Sequence, residues 1–85
     1  MTKNAEPAPS RGSRLLREWR AARGLLQRQA AAELDLDPAR YSDMENGKIL
    51  PRLTRAGEIE KRTDGAVPLS SWLEPDSDAA EARAS

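Results

Sequence analysis

The side chains in this chain that could do chemistry are arginines and carboxylates, and they are unevenly spread. Arg11, Arg14, Arg17, Arg20, Arg23 and Arg28 share a stretch whose single acid is Glu18, whereas Glu74, Asp76, Asp78 and Glu81 near the other end face only Arg83. Such asymmetry suits a basic surface with an acidic tail, or equally an ordinary solvated charged face. The chain as a whole carries zero net charge, with 14 basic and 14 acidic residues. A nucleic-acid partner would therefore have to be met by placement of charge and not by its sum.

What is missing narrows the chemistry further. The chain has no cysteine and no histidine, which removes disulfides, thiol chemistry, the usual zinc sites and any triad built on imidazole. The remaining carboxylates show neither metal-ligand spacing nor a cradle for phosphate, so no enzyme, cofactor or metal is expected. No window approaches the ~20 apolar residues of a membrane span, and "MTKNAEPAPSRG" lacks an apolar signal core, so the expected location is the cytoplasm. With 85 residues, 38% of them hydrophobic, the core is small enough that a partner subunit is expected to supplement it.

The elements that must position these groups can be read along the chain. Residues 1–12 hold two prolines and no periodicity and read as a disordered arm; 74–85 read as an acidic disordered tail, leaving 13–73 to fold. In "SRLLREWRAARG" Leu15, Trp19 and Ala22 make one stripe, with Ser13 as cap and Gly24 as stop. "LLQRQAAAEL" places Ala30, Ala31 and Leu34 on a common face and ends by Leu34.

The next segment, "DLDPARYSDMENGK", starts a helix by design of its residues. Asp37 is placed to cap it, and Pro38 takes the first helical position, where its missing N–H costs nothing. Leu36, Tyr41 and Met44 turn to one side, Ala39, Arg40 and Asp43 to another, and Gly47 suits the left-handed residue that ends it. A further helix over about 52–63 should bury Leu53, Ala56 and Ile59 and stop at Asp64-Gly65, with Gly57 costing ~1 kcal/mol unless a neighbour packs closely. "AVPLSSWL" is too apolar for a free tail and should fold back as a helical turn or strap. The fold class is thus all-α, a compact bundle of four to five short helices.

Two short helices joined by a tight turn form a helix-turn-helix, and "REWRAARGLLQ", "AAAELDLDPARYSDMENGK" and "LPRLTRAGEIEKRTDGAVP" sharpen that geometry. Together, over about residues 14–68, they resemble the Cro and phage-repressor type of helix-turn-helix regulator, the XRE-like family with a lambda-repressor-like DNA-binding domain. Gln27 matches the glutamine that opens the second helix, Ala31 the small residue at the helix crossing, and "ENG" at 45–47 the close of the recognition helix. The resemblance implies a structural ion pair between Arg20 and Glu45.

The resemblance also implies where double-stranded DNA would lie. The third helix would enter the major groove, with Ala39, Arg40, Ser42 and Asp43 as base-reading residues beside Pro38. Arg40 could bond bidentately to guanine, and Asp43 could accept from a cytosine amino group or orient Arg40. Gln27, Arg28, Asn46, Lys48 and Arg52 would meet phosphate. The expected function is a sequence-specific transcriptional regulator, a homodimeric repressor on an inverted repeat in its own promoter region. Trp72 and Leu73 are candidates for the dimer contact or for the chain's own core. The alternative is a protein-binding module, an antitoxin or regulatory partner, that keeps the fold without specific DNA binding.

The sequence also departs from the family pattern. Leu26 stands where a capping Ser or Thr is usual, and Asp35 replaces the turn glycine. Ala30 is smaller than the usual residue, so Trp19 or Tyr41 is expected to fill that volume. Asp35, Asp37 and Asp43 should also weaken the field at a DNA surface.

Overall fold

A computed structural model describes residues 10–76; residues 1–9 and 77–85, most of the expected arm and tail, lie outside the described residues. Four α-helices and one 3₁₀ turn follow in chain order: α1 Arg11–Ala22, α2 Gln27–Glu33, α3 Pro38–Glu45, α4 Leu53–Arg62, and the turn Leu69–Leu73. No strand occurs among the described residues, so the helical periodicity is realised throughout.

The cap of helix α1 lies three residues before its expected position. Ser10 takes the capping position, its hydroxyl accepting from the Ser13 amide at 3.3 Å. Ser13 itself is fully buried and donates its hydroxyl to the Met44 carbonyl at 2.7 Å, so it bolts α1 to α3 and is not a cap. The buried stripe runs through Gly12, Ser13, Leu16 and Trp19, with Leu15 half-buried and Ala22 exposed.

The start of α1 is also covered by chain expected to be tail. The Arg11 amide donates to the Glu74 carbonyl at 2.8 Å, Ser10 and Pro75 form an isolated antiparallel bridge, and Asp76 is buried against Arg14 with Nε–Oδ1 of 3.0 Å. Residues 10–12 and 74–76 thus belong to the folded unit, which corrects both expected boundaries. The cause is pairing: each acid of this segment finds an α1 arginine, and a second pair joins Arg11 to Glu74 at 2.8 Å.

Helix α4 buries Ala56 and Ile59, but Leu53, expected on the inner face, is 73% exposed. The inner row continues to Thr63, whose hydroxyl donates to the Ile59 carbonyl and accepts from the Val67 amide. That bond fixes the reversal made by Asp64 and Gly65, both at positive φ (60° and 87°). The strap then returns over the core. Val67, Ser71 and Trp72 are buried, and a Cβ on Gly12 would lie 2.6 Å from Trp72 Cε3, so only glycine admits the indole there. Trp72, a candidate for the dimer contact, is therefore committed to the chain's own core, while Leu73 is 79% exposed.

Candidate nucleic-acid interface

The turn between α2 and α3 is built from backbone bonds. The Leu36 amide reaches back to the Ala31 carbonyl at 2.8 Å, and Asp35 adopts φ 57°, the left-handed conformation that the usual glycine would take at lower cost. Ala30, Ala31 and Leu34 have no exposed surface, so the two helices meet over small residues, with Tyr41, itself wholly buried, and Trp19 in the same core cluster. Helix α2 has no side-chain cap at Leu26; Gln29 compensates in part by accepting the Leu26 amide at 2.8 Å.

Helix α3 then starts as its residues dictate. Asp37 Oδ2 accepts the amides of Ala39 at 3.1 Å and Arg40 at 3.2 Å, and Pro38 follows the cap. This carboxylate is engaged by the positive end of the helix, which moderates its expected repulsion of phosphate. Tyr41, Met44 and Glu45 face inward, Pro38, Ala39 and Arg40 are exposed, and Ser42 and Asp43 are half-buried. Gly47, at φ 75°, ends the helix, and the Lys48 amide closes on the Asp43 carbonyl at 2.9 Å. Asn46 donates to Ser42 Oγ at 3.4 Å, a long, exposed bond that leaves both side chains accessible.

The inner side of α3 is held by a charged cluster. Arg20 Nε donates to Glu45 Oε2 at 2.6 Å and its Nη2 to Oε1 at 3.2 Å, the forked geometry that makes arginine–carboxylate pairs strong. Gln27 adds a donor to Oε1 at 3.0 Å, Arg17 donates to the Glu45 carbonyl at 3.0 Å, and Arg20 also reaches the Leu25 carbonyl at 3.1 Å. Burial alone pushes the Glu45 carboxyl up, but the hydrogen bonds from Arg20 and Gln27, with the Tyr41 phenol close by, outweigh it and hold it below the usual carboxylate range. Burial, then the neighbouring carboxylate, pushes the Tyr41 phenol far above its ordinary value. The pair implied by Arg20 and Glu45 is thus formed, and one amide donor of Gln27, expected on phosphate, is committed to it.

The arginine run of the sequence is not a free basic surface. Arg11 pairs with Glu74, Arg14 with Glu18 and Asp76, Arg20 with Glu45, and Arg23 with Glu33 at 3.1 Å while lying 5.4 Å over the Trp19 ring. With Arg17 on the Glu45 carbonyl, five of the six arginines serve the fold, and only Arg28 makes no side-chain bond among the described residues. Among the described residues the exposed cations whose side chains make no bond are Arg28, Arg40, Lys48, Arg52 and Lys61, of which the first four were expected to meet DNA.

Sequence reasoning missed one further cation. Arg55, on the first turn of α4, lines a surface recess with Arg40, Met44, Pro51 and Arg52. The signal was the spacing of Arg52 and Arg55, which places both on one face at the start of a helix. Arg55 pairs with Glu58 at 3.1 Å, with both side chains substantially exposed.

Among the described residues no group of His, Cys, Asp or Glu could hold a metal, and no helix is long and apolar enough to cross a membrane. In comparison with known proteins, residues 16–67 match the family model described as helix-turn-helix. No curated protein and no solved structure gives a match.

Proposed function

The chain belongs to the helix-turn-helix family of the Cro and phage-repressor type, a family of DNA-binding regulators, and from this premise we propose that it is a dimeric repressor acting on an inverted-repeat operator in its own promoter region. The observation that carries the reading is α3 itself: a capped helix, locked from behind by the Arg20–Glu45 pair, with Ala39 and Arg40 exposed and Ser42 and Asp43 accessible on its outer face. A rigid helix with a short polar outer face fits the major groove. Arg40 would read guanine, Ala39 a thymine methyl, Ser42 either partner, and Asp43 would accept from cytosine or orient Arg40. Arg28, Asn46, Lys48 and Arg52 flank this face as phosphate contacts, with Gln27 contributing through its remaining donor and the start of α2.

The homodimer is supported by exposed apolar surface. Leu50, Leu53 and Leu73 are 59%, 73% and 79% exposed, and a mostly apolar groove joins Pro51, Leu53, Leu69 and Leu73. Surface of this kind on a small domain marks an interaction site, and a two-fold contact is the commonest. Acting on promoter DNA, the protein would work in the cytoplasm. Two recognition helices would enter successive major grooves about 34 Å apart.

A second reading rests on the internal neutralisation of the α1 arginines and the zero net charge: a protein-binding module, such as an antitoxin, whose exposed leucines hold a protein partner. Selection from random genomic fragments, followed by binding titrations of the wild type and Arg40→Ala, separates the two. One recovered inverted repeat, with specificity lost in Arg40→Ala, fits the repressor. Weak, sequence-blind binding unchanged by the substitution fits the module.

A further inference from the structure

We infer that Arg55, together with Arg52, clamps a DNA backbone phosphate in the recess between the starts of α3 and α4 and so sets how α3 sits in the groove. The inference deepens the DNA-binding reading and rests on it. Three arginines, Arg40, Arg52 and Arg55, line this recess together with Met44 and Pro51. Arg40 and Arg52 make no side-chain hydrogen bond or ion pair among the described residues, so the cluster is unneutralised on its α3 side.

No acid lines the recess itself. Asp35 and Glu58 line a neighbouring depression shared with Arg52, Thr54 and Arg55, and only Glu58 pairs with a recess arginine. That pair is exposed on both sides, so exchanging its carboxylate for a phosphate oxygen costs little. Arg40 and Arg52 place unpaired like charges around one concavity, with Arg55 partly offset by Glu58, and a polyanion relieves their repulsion while displacing counterions. A backbone phosphodiester spreads its single negative charge over two free oxygens, so Arg52 and Arg55 can each donate to it. Because Arg40 lines the same recess, a phosphate bound there would stand beside the expected base-reading side chain and fix its approach.

The test is the salt dependence of binding for the full chain on its selected operator and on an unrelated duplex. Replacing one phosphate-neutralising cation should lower the slope of log K against log salt by about 0.9. Arg55→Ala is expected to lose that increment and to weaken operator and unrelated duplex by the same factor, with melting unchanged; Arg55→Lys should keep most of the slope, and Glu58→Gln should bind both duplexes more tightly. An unchanged slope in Arg55→Ala, or a loss confined to the operator, overturns the clamp. Absence of any salt-dependent binding by the wild type overturns the DNA-binding reading itself, and the clamp with it.

Discussion

Arg20→Ala should be far more damaging than Glu45→Gln, and its cost should shrink in acid. The Glu45 side chain is 1% exposed and takes donors from Arg20 and Gln27, whereas the Arg20 side chain is 25% exposed and keeps the Leu25 carbonyl as a partner. Removing the arginine leaves a buried carboxylate uncompensated, a loss that runs to about 3 to 5 kcal/mol. Because Arg20 is partly reached by water, the lower end applies, about 3 kcal/mol. A domain this size has roughly 0.05–0.15 kcal/mol of stability per residue, so that loss consumes much of the total. At ~4 to 8 °C per kcal/mol, the melting point should fall by at least about 12 °C. Glu45→Gln leaves a guanidinium with a route to solvent and should cost about 1.5 kcal/mol, the low end for hydrogen bonds to a charged group.

The acid dependence follows from the sign of the shift. In the wild type the Glu45 pKa is depressed, so its contribution is complete above the unfolded carboxyl pKa and is lost as pH falls through the lower folded value. In Arg20→Ala burial dominates and raises the same pKa, so the variant gains stability as pH falls through that raised value while the wild type does not. Urea unfolding at pH 7.5 and about pH 4.5 reads both terms. A stability gap that stays constant across this range, or Glu45→Gln matching Arg20→Ala at neutral pH, would refute the reasoning.

Three other substitutions probe the scaffold by thermal melting. Gly12→Ala should destabilise by about 1 to 3 kcal/mol despite its better helix propensity, because the new Cβ overlaps the Trp72 ring. Gly57→Ala should stabilise by about 0.5 to 1 kcal/mol, since a Cβ there would stand 3.7 Å from Leu69 Cδ1, an ordinary contact. Asp37→Ala should lose about 1 kcal/mol with the cap on the Ala39 and Arg40 amides, and Asp37→Asn should recover most of it.

Helix α3 was legible because its instructions are local. Asp37, Pro38 and Gly47 each act within one turn of where they stand, so cap, start and stop could be read from types and spacing. The Arg20–Glu45 pair was reachable only through family resemblance, since its partners lie 25 positions apart and nothing local joins them. Where long-range contacts decide, reading the sequence failed. Ser13 looked like a cap because it precedes an apolar stripe, but its hydroxyl answers to Met44. Leu53 kept the spacing of Ala56 and Ile59, yet it stands at the open rim of the groove it shares with Leu69 and Leu73 and is 73% exposed. The arginine run suggested a surface for anions because its five internal partners are drawn from Glu18, Glu33, Glu45, Glu74 and Asp76, most of them distant in sequence.

The meeting of Ser10 with Pro75 and of Arg11 with Glu74 makes the folded unit a closed ring of chain. Entry and exit share one doorway, so thermal fraying cannot begin at one end alone: freeing the first turn of α1 also releases Glu74 and uncovers Trp72 where it rests on Gly12. The two ends should therefore exchange their amide protons as a single cooperative unit, although more than sixty residues of chain separate them. A short linker across that doorway would tie the ends together where they already touch, making the domain a natural subject for circular permutation.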